Sequence, residues 1–266
     1  MRRGGQVLTT FSSYRLIAGD LPRSLASTAQ RPQVARETEY YLARIGEVKS
    51  IDDFLGDSRL FGYAMKAFGL GEMTYAKAFI RKALAEGIDD PQSFANRLSD
   101  PRYRDLVSTF NFARYGAATT SFERVKQGTV DNYVRQTLEE DAGSRNEGAR
   151  LALYFQRKAP GLKSAYGILA DRALLTVVQT ALGLPASSAS ADIDRQAEMI
   201  SRRLDLADLK DPTKLQRFID RFLSLWELAT PAAPQSAPAV LVNQRASLGI
   251  APSLLTSLQN LKLRGL

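Results

Sequence analysis

Asp57 precedes an apolar face made by Leu60, Ala64, Ala67 and Phe68, and Gly69 follows it. An acceptor side chain for the first free N–H groups, a stripe at i, i+4, i+7 and a glycine at the exit describe one short amphipathic helix, over about residues 58–68. The same punctuation recurs along the chain. Thr74 to Ala85 reads as a second helix, stopped by Gly87. Asp90-Pro91 opens a third through Leu98, and Asp100-Pro101 a fourth toward Phe112, each with proline in the first turn, where its missing N–H costs nothing. Further helices are expected at 131–140, 147–158, 171–182, 192–204 and 212–228. No segment sustains the alternation of a strand. The expected fold class is therefore all-α, a multi-helix globular body.

The punctuation also repeats as a block. LGDSRLFGYAMKAFGL (55–70) and LADRALLTVVQTALGL (169–184) align without a gap at an offset of 114, sharing Leu, Asp, Leu, Ala, Gly and Leu, both proposed caps among them. After a Pro/Ala/Ser insertion the offset becomes 121, placing Arg81-Lys82 opposite Arg202-Arg203 and Asp90-Pro91 opposite Asp211-Pro212. Two related helical units, roughly 50–98 and 164–225, are the expectation.

Charge divides the chain differently. Residues 1–36 hold six arginines and one acid, and 229–266 hold Arg245, Lys262 and Arg264 with none, so the two ends account for the whole excess of +8. The body, 37–228, is neutral, which argues against a dedicated nucleic-acid domain with a basic folded face. Residues 1–36, rich in Ser, Thr, Gly and Arg, read as a flexible basic arm, and 229–240 (ATPAAPQSAPAV) as a linker that cannot continue a helix. Beyond it, in the 241–266 arm, Leu254, Leu255, Leu258 and Leu261 have the spacing of a short amphipathic helix, and are the candidate partner-binding residues. The longest uncharged stretch, 173–191, is broken by Pro185 and too short for a membrane span, and no apolar signal segment follows Arg2 and Arg3. The expected location is the cytoplasm.

The chain has neither cysteine nor histidine. That removes disulfides, thiolate metal sites, the usual general base and every Ser-His-Asp or Cys-His arrangement. Neither a cofactor nor a metal is expected. Among the remaining polar residues the densest group is Glu139, Glu140, Arg145, Asn146, Glu147 and Arg150. Paired carboxylates there could serve acid–base chemistry or a divalent cation. Glu147 and Arg150 at i, i+3 equally describe an ordinary helix pair. The aromatics of FNFARY (110–115) fit a buried stripe with Tyr103 and Val107, and Trp226 belongs with Phe218, Phe222 and Leu225 as packing.

Several phrases, SIDDFLGDSRLFGYAMKAFGL, YAKAFIRKAL, DDPQSFANRLSDPRY, the run from Asn146 to Phe155, and DLKDPTKLQRFIDRF, resemble in order an uncharacterised all-helical alphaproteobacterial family whose members are typically encoded among flagellar genes. The resemblance spans about residues 10–228 and brings no catalytic motif. It implies a noncatalytic structural or assembly protein, cytoplasmic or flagellum-associated, whose partners are flagellar structural, assembly or export proteins. The alternatives are a metal- or carboxylate-dependent enzyme using 139–150, and a binder of anionic surfaces or nucleic acid through the basic ends.

Overall fold

In the computed structural model the described residues are 9–230 except 186, 187, 189 and 190, and no strand occurs among them. Helices α1 (Thr10–Ala18), α2 (Leu21–Ala29) and α3 (Pro32–Ile45) come first, followed by α4 (Ile51–Gly56), α5 (Ser58–Ala67) and α6 (Lys77–Glu86). Three short helices, α7 (Phe94–Arg97), α8 (Pro101–Thr109) and α9 (Phe112–Tyr115), lead to the long α10 (Gln127–Arg145) and α11 (Glu147–Lys158). Then come α12 (Ala165–Leu169), α13 (Arg172–Leu182), α14 (Ile193–Ser201) and α15 (Pro212–Ala229). No helix among the described residues is long and apolar enough to cross a membrane. The linker and Leu254, Leu255, Leu258 and Leu261 lie outside the described residues.

Two apolar cores form, one drawn from residues between Val34 and Val134, the other from Tyr14 and residues between Ala142 and Leu223. Helix α10 serves both. Val130, Tyr133 and Val134 in its first half enter the first core and Ala142 near its end enters the second, while its flanks pack on α2, α5 and α11. The FNFARY stripe is core as expected, with Val107 and Phe110 fully buried.

The third expected helix is mostly a turn. The Asp90 carboxylate accepts from Gln92 N, Asn96 Nδ2 donates to the carbonyls of Ile88 and Asp90, and Glu86 Oε2 accepts from Phe94 N at 2.6 Å. These side-chain bonds satisfy the backbone locally, so helix begins only at Phe94.

The internal correspondence begins earlier than the sequence blocks indicated. Helices α3, α4 and α5 at an offset of 114 fall on α11, α12 and α13. Asp57 caps α5 by accepting from the N–H groups of Arg59 and Leu60, and Asp171 caps α13 through Ala173 and Leu174, at equivalent positions. The other oxygen of each aspartate takes a tyrosine hydroxyl, from Tyr40 at 2.8 Å and Tyr154 at 2.6 Å, again 114 apart. Both helices end alike. Leu70 N donates to Met65 O at 2.8 Å and Leu184 N to Gln179 O at 2.9 Å, across Gly69 and Gly183 at φ +71° and +63°, the left-handed exit that glycine takes without strain. The shared frame is thus 32–70 and 146–184. The expected offset of 121 is not realised: Arg81-Lys82 sit inside α6, Arg202-Arg203 lie past the end of α14, and Pro212 opens a long helix where Pro91 sits in a turn.

The loose arm expected over residues 1–36 is, from Thr10 on, helical and packed. Tyr14 is fully buried in the second core with its hydroxyl donating to Gln216 Oε1 at 3.0 Å, and Asn146 Nδ2 donates to Thr10 Oγ1. Two of the arginines that suggested a free basic segment are ion-paired with distant acids, Arg15 with Asp220 and Arg31 with Asp141.

Gly148 is where α1, α11 and α15 close on one another. A Cβ there would stand 2.5 Å from Trp226 Cδ1 and 2.6 Å from Thr10 Cγ2. Gly148→Ala is expected to destabilise by about 1–3 kcal/mol, the usual cost of overpacking. Gly161→Ala, which meets nothing within 4 Å, is the control in the same urea titration.

Candidate functional site

A cleft of about 920 Å3 is walled by α8, α10, α11 and the start of α13. Its charged groups come from both halves of the chain. On α8, Arg102 grips Asp100 through Nε and Nη2, at 3.0 and 2.7 Å, while Nη1 donates to the carbonyl of Gly69 at 2.5 Å. One turn on, Asp105 receives Lys158 of α11 at 2.7 Å. From α11, Arg157 reaches Glu139 at 2.6 Å, and Arg135 adds a second contact at 2.9 Å. Arg150 pairs with Glu147, and Tyr154 holds Asp171. Arg172 stands exposed at the mouth, and Trp226 lies at the edge.

The sequence-derived polar cluster does not converge. Glu139 is 2% exposed between its two arginines. Glu140, the next residue, faces outward to Lys66 at 3.1 Å and Gln136 at 3.2 Å. Arg145 ends α10 exposed, and Asn146 caps α11 by accepting from Ala149 N at 3.0 Å. Only Glu147 and Arg150 of the six line the cleft. Among the described residues no group of three or more acidic side chains is placed to hold a metal ion. Sequence reasoning missed Asp105, Arg157 and Lys158. The Asp100 and Asp171 caps were visible as caps, with nothing to mark them as neighbours across a cleft.

The resolved protonation shifts in the cleft run away from neutrality. Partial burial alone would raise the Asp100 carboxyl, but the Arg102 guanidinium and N–H outweigh it and hold it below the usual carboxylate range. Hydrogen bonds to carboxylates raise Arg102 and Arg150. Burial opposes the charge on Arg157, and Glu139 more than offsets it. Burial, then the Asp171 carboxylate, pushes the Tyr154 hydroxyl far up. General acid–base work favours a group that titrates near the working pH. None of these shifts supplies one.

The Asp100 shift has a testable sign. A carboxyl lowered in the folded state contributes stability that is complete above its ordinary value of 3.8 and is lost as pH falls through the folded value. Asp57, lowered because the N–H groups of Leu60 and Arg59 and the Tyr40 hydroxyl outweigh its partial burial, acts in the same direction. Thermal unfolding midpoints are expected to fall from about pH 5 downward. Asp100→Asn should make that fall shallower while lowering the midpoint at pH 7.

The profile of a family described as a protein of unknown function, DUF1217, matches residues 67–215. A crystal structure of a protein from Agrobacterium tumefaciens, determined by a structural genomics consortium, is 49% identical, with a TM-score of 0.79 over 86% of this chain and 100% of that one. No curated protein matches the chain.

Proposed function

On the premise that the chain belongs to the DUF1217 family, we propose that it is a noncatalytic protein that acts through protein–protein contacts in the structure or assembly of the flagellum. The observation that carries the noncatalytic part is the condition of the cleft. Of its carboxylates, Asp100, Asp105 and Glu147 are each matched by a named cation, and Asp171 is spent on a helix cap and a tyrosine. Behind the cleft wall, Glu139 held by Arg135 and Arg157 fixes α10 against α11, the role of a structural ion pair. The flagellar part rests on the resemblance of the quoted phrases to a family encoded among flagellar genes.

A deletion strain tests both parts. Loss of the gene should impair swimming, and a Glu140→Ala, Glu147→Ala double variant, which removes the exposed carboxylates of the cluster, should restore it fully. Normal swimming by the deletion strain would contradict the flagellar role. Failure of the folded double variant to rescue would point back to carboxylate chemistry. Deleting 1–36 does not probe a free arm, since it removes the buried Tyr14.

A further inference from the structure

A second cavity, of about 340 Å3, opens away from the cleft between the end of α13, the loop after α14 and the first half of α15. Its floor is apolar, made by Leu182, Leu204, Leu209 and Phe218. Its rim carries Arg203, Arg217 and Arg221, all exposed. None of the three makes an ion pair with a described residue. Nor does the rest of the chain hold an acidic side chain to supply one, because every Asp and Glu lies between Asp20 and Glu227.

Lys214 and the carboxylates of Asp205 and Asp208 line the cavity as well, so its lining carries four cations and two acids. Asp208 accepts from Lys214 Nζ at 2.6 Å, Asp205 from Ala207 N at 2.9 Å, and Asp211 from the N–H groups of Thr213 and Lys214 that it caps. Arg217 and Arg221 stand one turn apart on α15, a like-charge spacing that works against the helix. Asp211 feels the positive charge of Arg217, yet none of the three guanidiniums is held in an ion pair, and the excess of cations around an apolar floor is not explained by the chain's own folding.

We propose that this cavity docks an acidic segment of a partner protein, with carboxylates meeting Arg203, Arg217 and Arg221 and a leucine or phenylalanine side chain entering the floor. The inference deepens the contact reading above and rests on it. Cavity size fits side chains of an inserted segment, lying at the low end of the roughly 300–1,000 Å3 of ligand pockets. Residues 231–266 of the chain carry Arg245, Lys262 and Arg264 and no acid, the wrong charge for this rim. A nucleic acid would look for an aromatic face on which to stack bases. Phe218 offers its ring instead to Phe155, stacked at 5.4 Å between centroids.

The test is fluorescence anisotropy with a labelled amphipathic peptide of leucines and glutamates, a serine-for-leucine version, a lysine-for-glutamate version and a single-stranded oligonucleotide. The leucine–glutamate peptide should bind saturably and more tightly than the other three. Arg217→Glu with Arg221→Glu should weaken it by about tenfold or more. Arg23→Glu with Arg195→Glu, the same charge change on exposed arginines elsewhere, should leave it within about twofold. The two cavity arginines are exposed and unpaired, so the variant keeps the fold, checked by an unchanged circular dichroism melt. Absence of saturable binding, equal weakening by both double variants, or equal binding of the serine peptide or the oligonucleotide would overturn the proposal. Since the readout uses purified protein, its failure is separate from failure of the swimming test.

Discussion

Glu139→Ala is expected to cost about 3–5 kcal/mol, because it leaves Arg135 and Arg157 facing each other without a counter-charge in a largely buried position. For a chain of this size that is a fall in Tm of roughly 6–20 °C. Glu140→Ala should change stability by less than about 1 kcal/mol, since its side chain is 46% exposed and its partner is a surface lysine. The two glutamates are adjacent in sequence, and the contrast between them separates a structural ion triad from a reactive cluster. Equal Tm values for Glu139→Ala and the parent protein, in a calorimetric scan at pH 7, would refute the structural reading of the triad.

Phe54→Ala should have a comparable effect. The ring is fully buried at the centre of the first core, edge-on to Phe61 at 5.7 Å and tilted against Phe110 at 4.7 Å and Phe112 at 5.9 Å. Removing a buried phenylalanine ring from such packing costs about 3–5 kcal/mol. Ile168, its counterpart at the offset of 114, occupies the second core and should cost about 2–5 kcal/mol as Ile168→Ala. Because α10 contributes to both cores, the loss should be felt across them. Trp226, the single tryptophan, packs on the second core, so its fluorescence reports whether a lesion in the first core reaches the second. Urea midpoints from Trp226 fluorescence and from circular dichroism should fall together in Phe54→Ala. A dichroism midpoint that drops while the Trp226 midpoint stays would mean the cores unfold separately.

Local rules made much of the fold legible. Asp57 and Asp171 cap where a carboxylate should, Gly69 and Gly183 close the same helices, and 147–158 is helical over its expected length. What sequence spacing could not reveal is long-range pairing. Arg15 and Arg31 suggested a free basic arm because their acids, Asp220 and Asp141, lie far along the chain. Glu139 and Glu140 looked like a pair, yet consecutive helical residues point about 100° apart. Lys158 and Asp105 meet across the cleft from positions 53 residues apart. The correspondence at an offset of 114 was legible through its caps but not at its start, where the signal was the tyrosine pair Tyr40 and Tyr154 at the same offset.

The central claim, a helical protein that serves the flagellum by contact, is most directly tested by affinity purification of the tagged protein from crosslinked cells of its own species, with mass spectrometry of cytoplasmic and flagellar fractions. Enrichment of hook, rod, filament or export components is the predicted result. Recovery of only unrelated proteins or nucleic acid would contradict it.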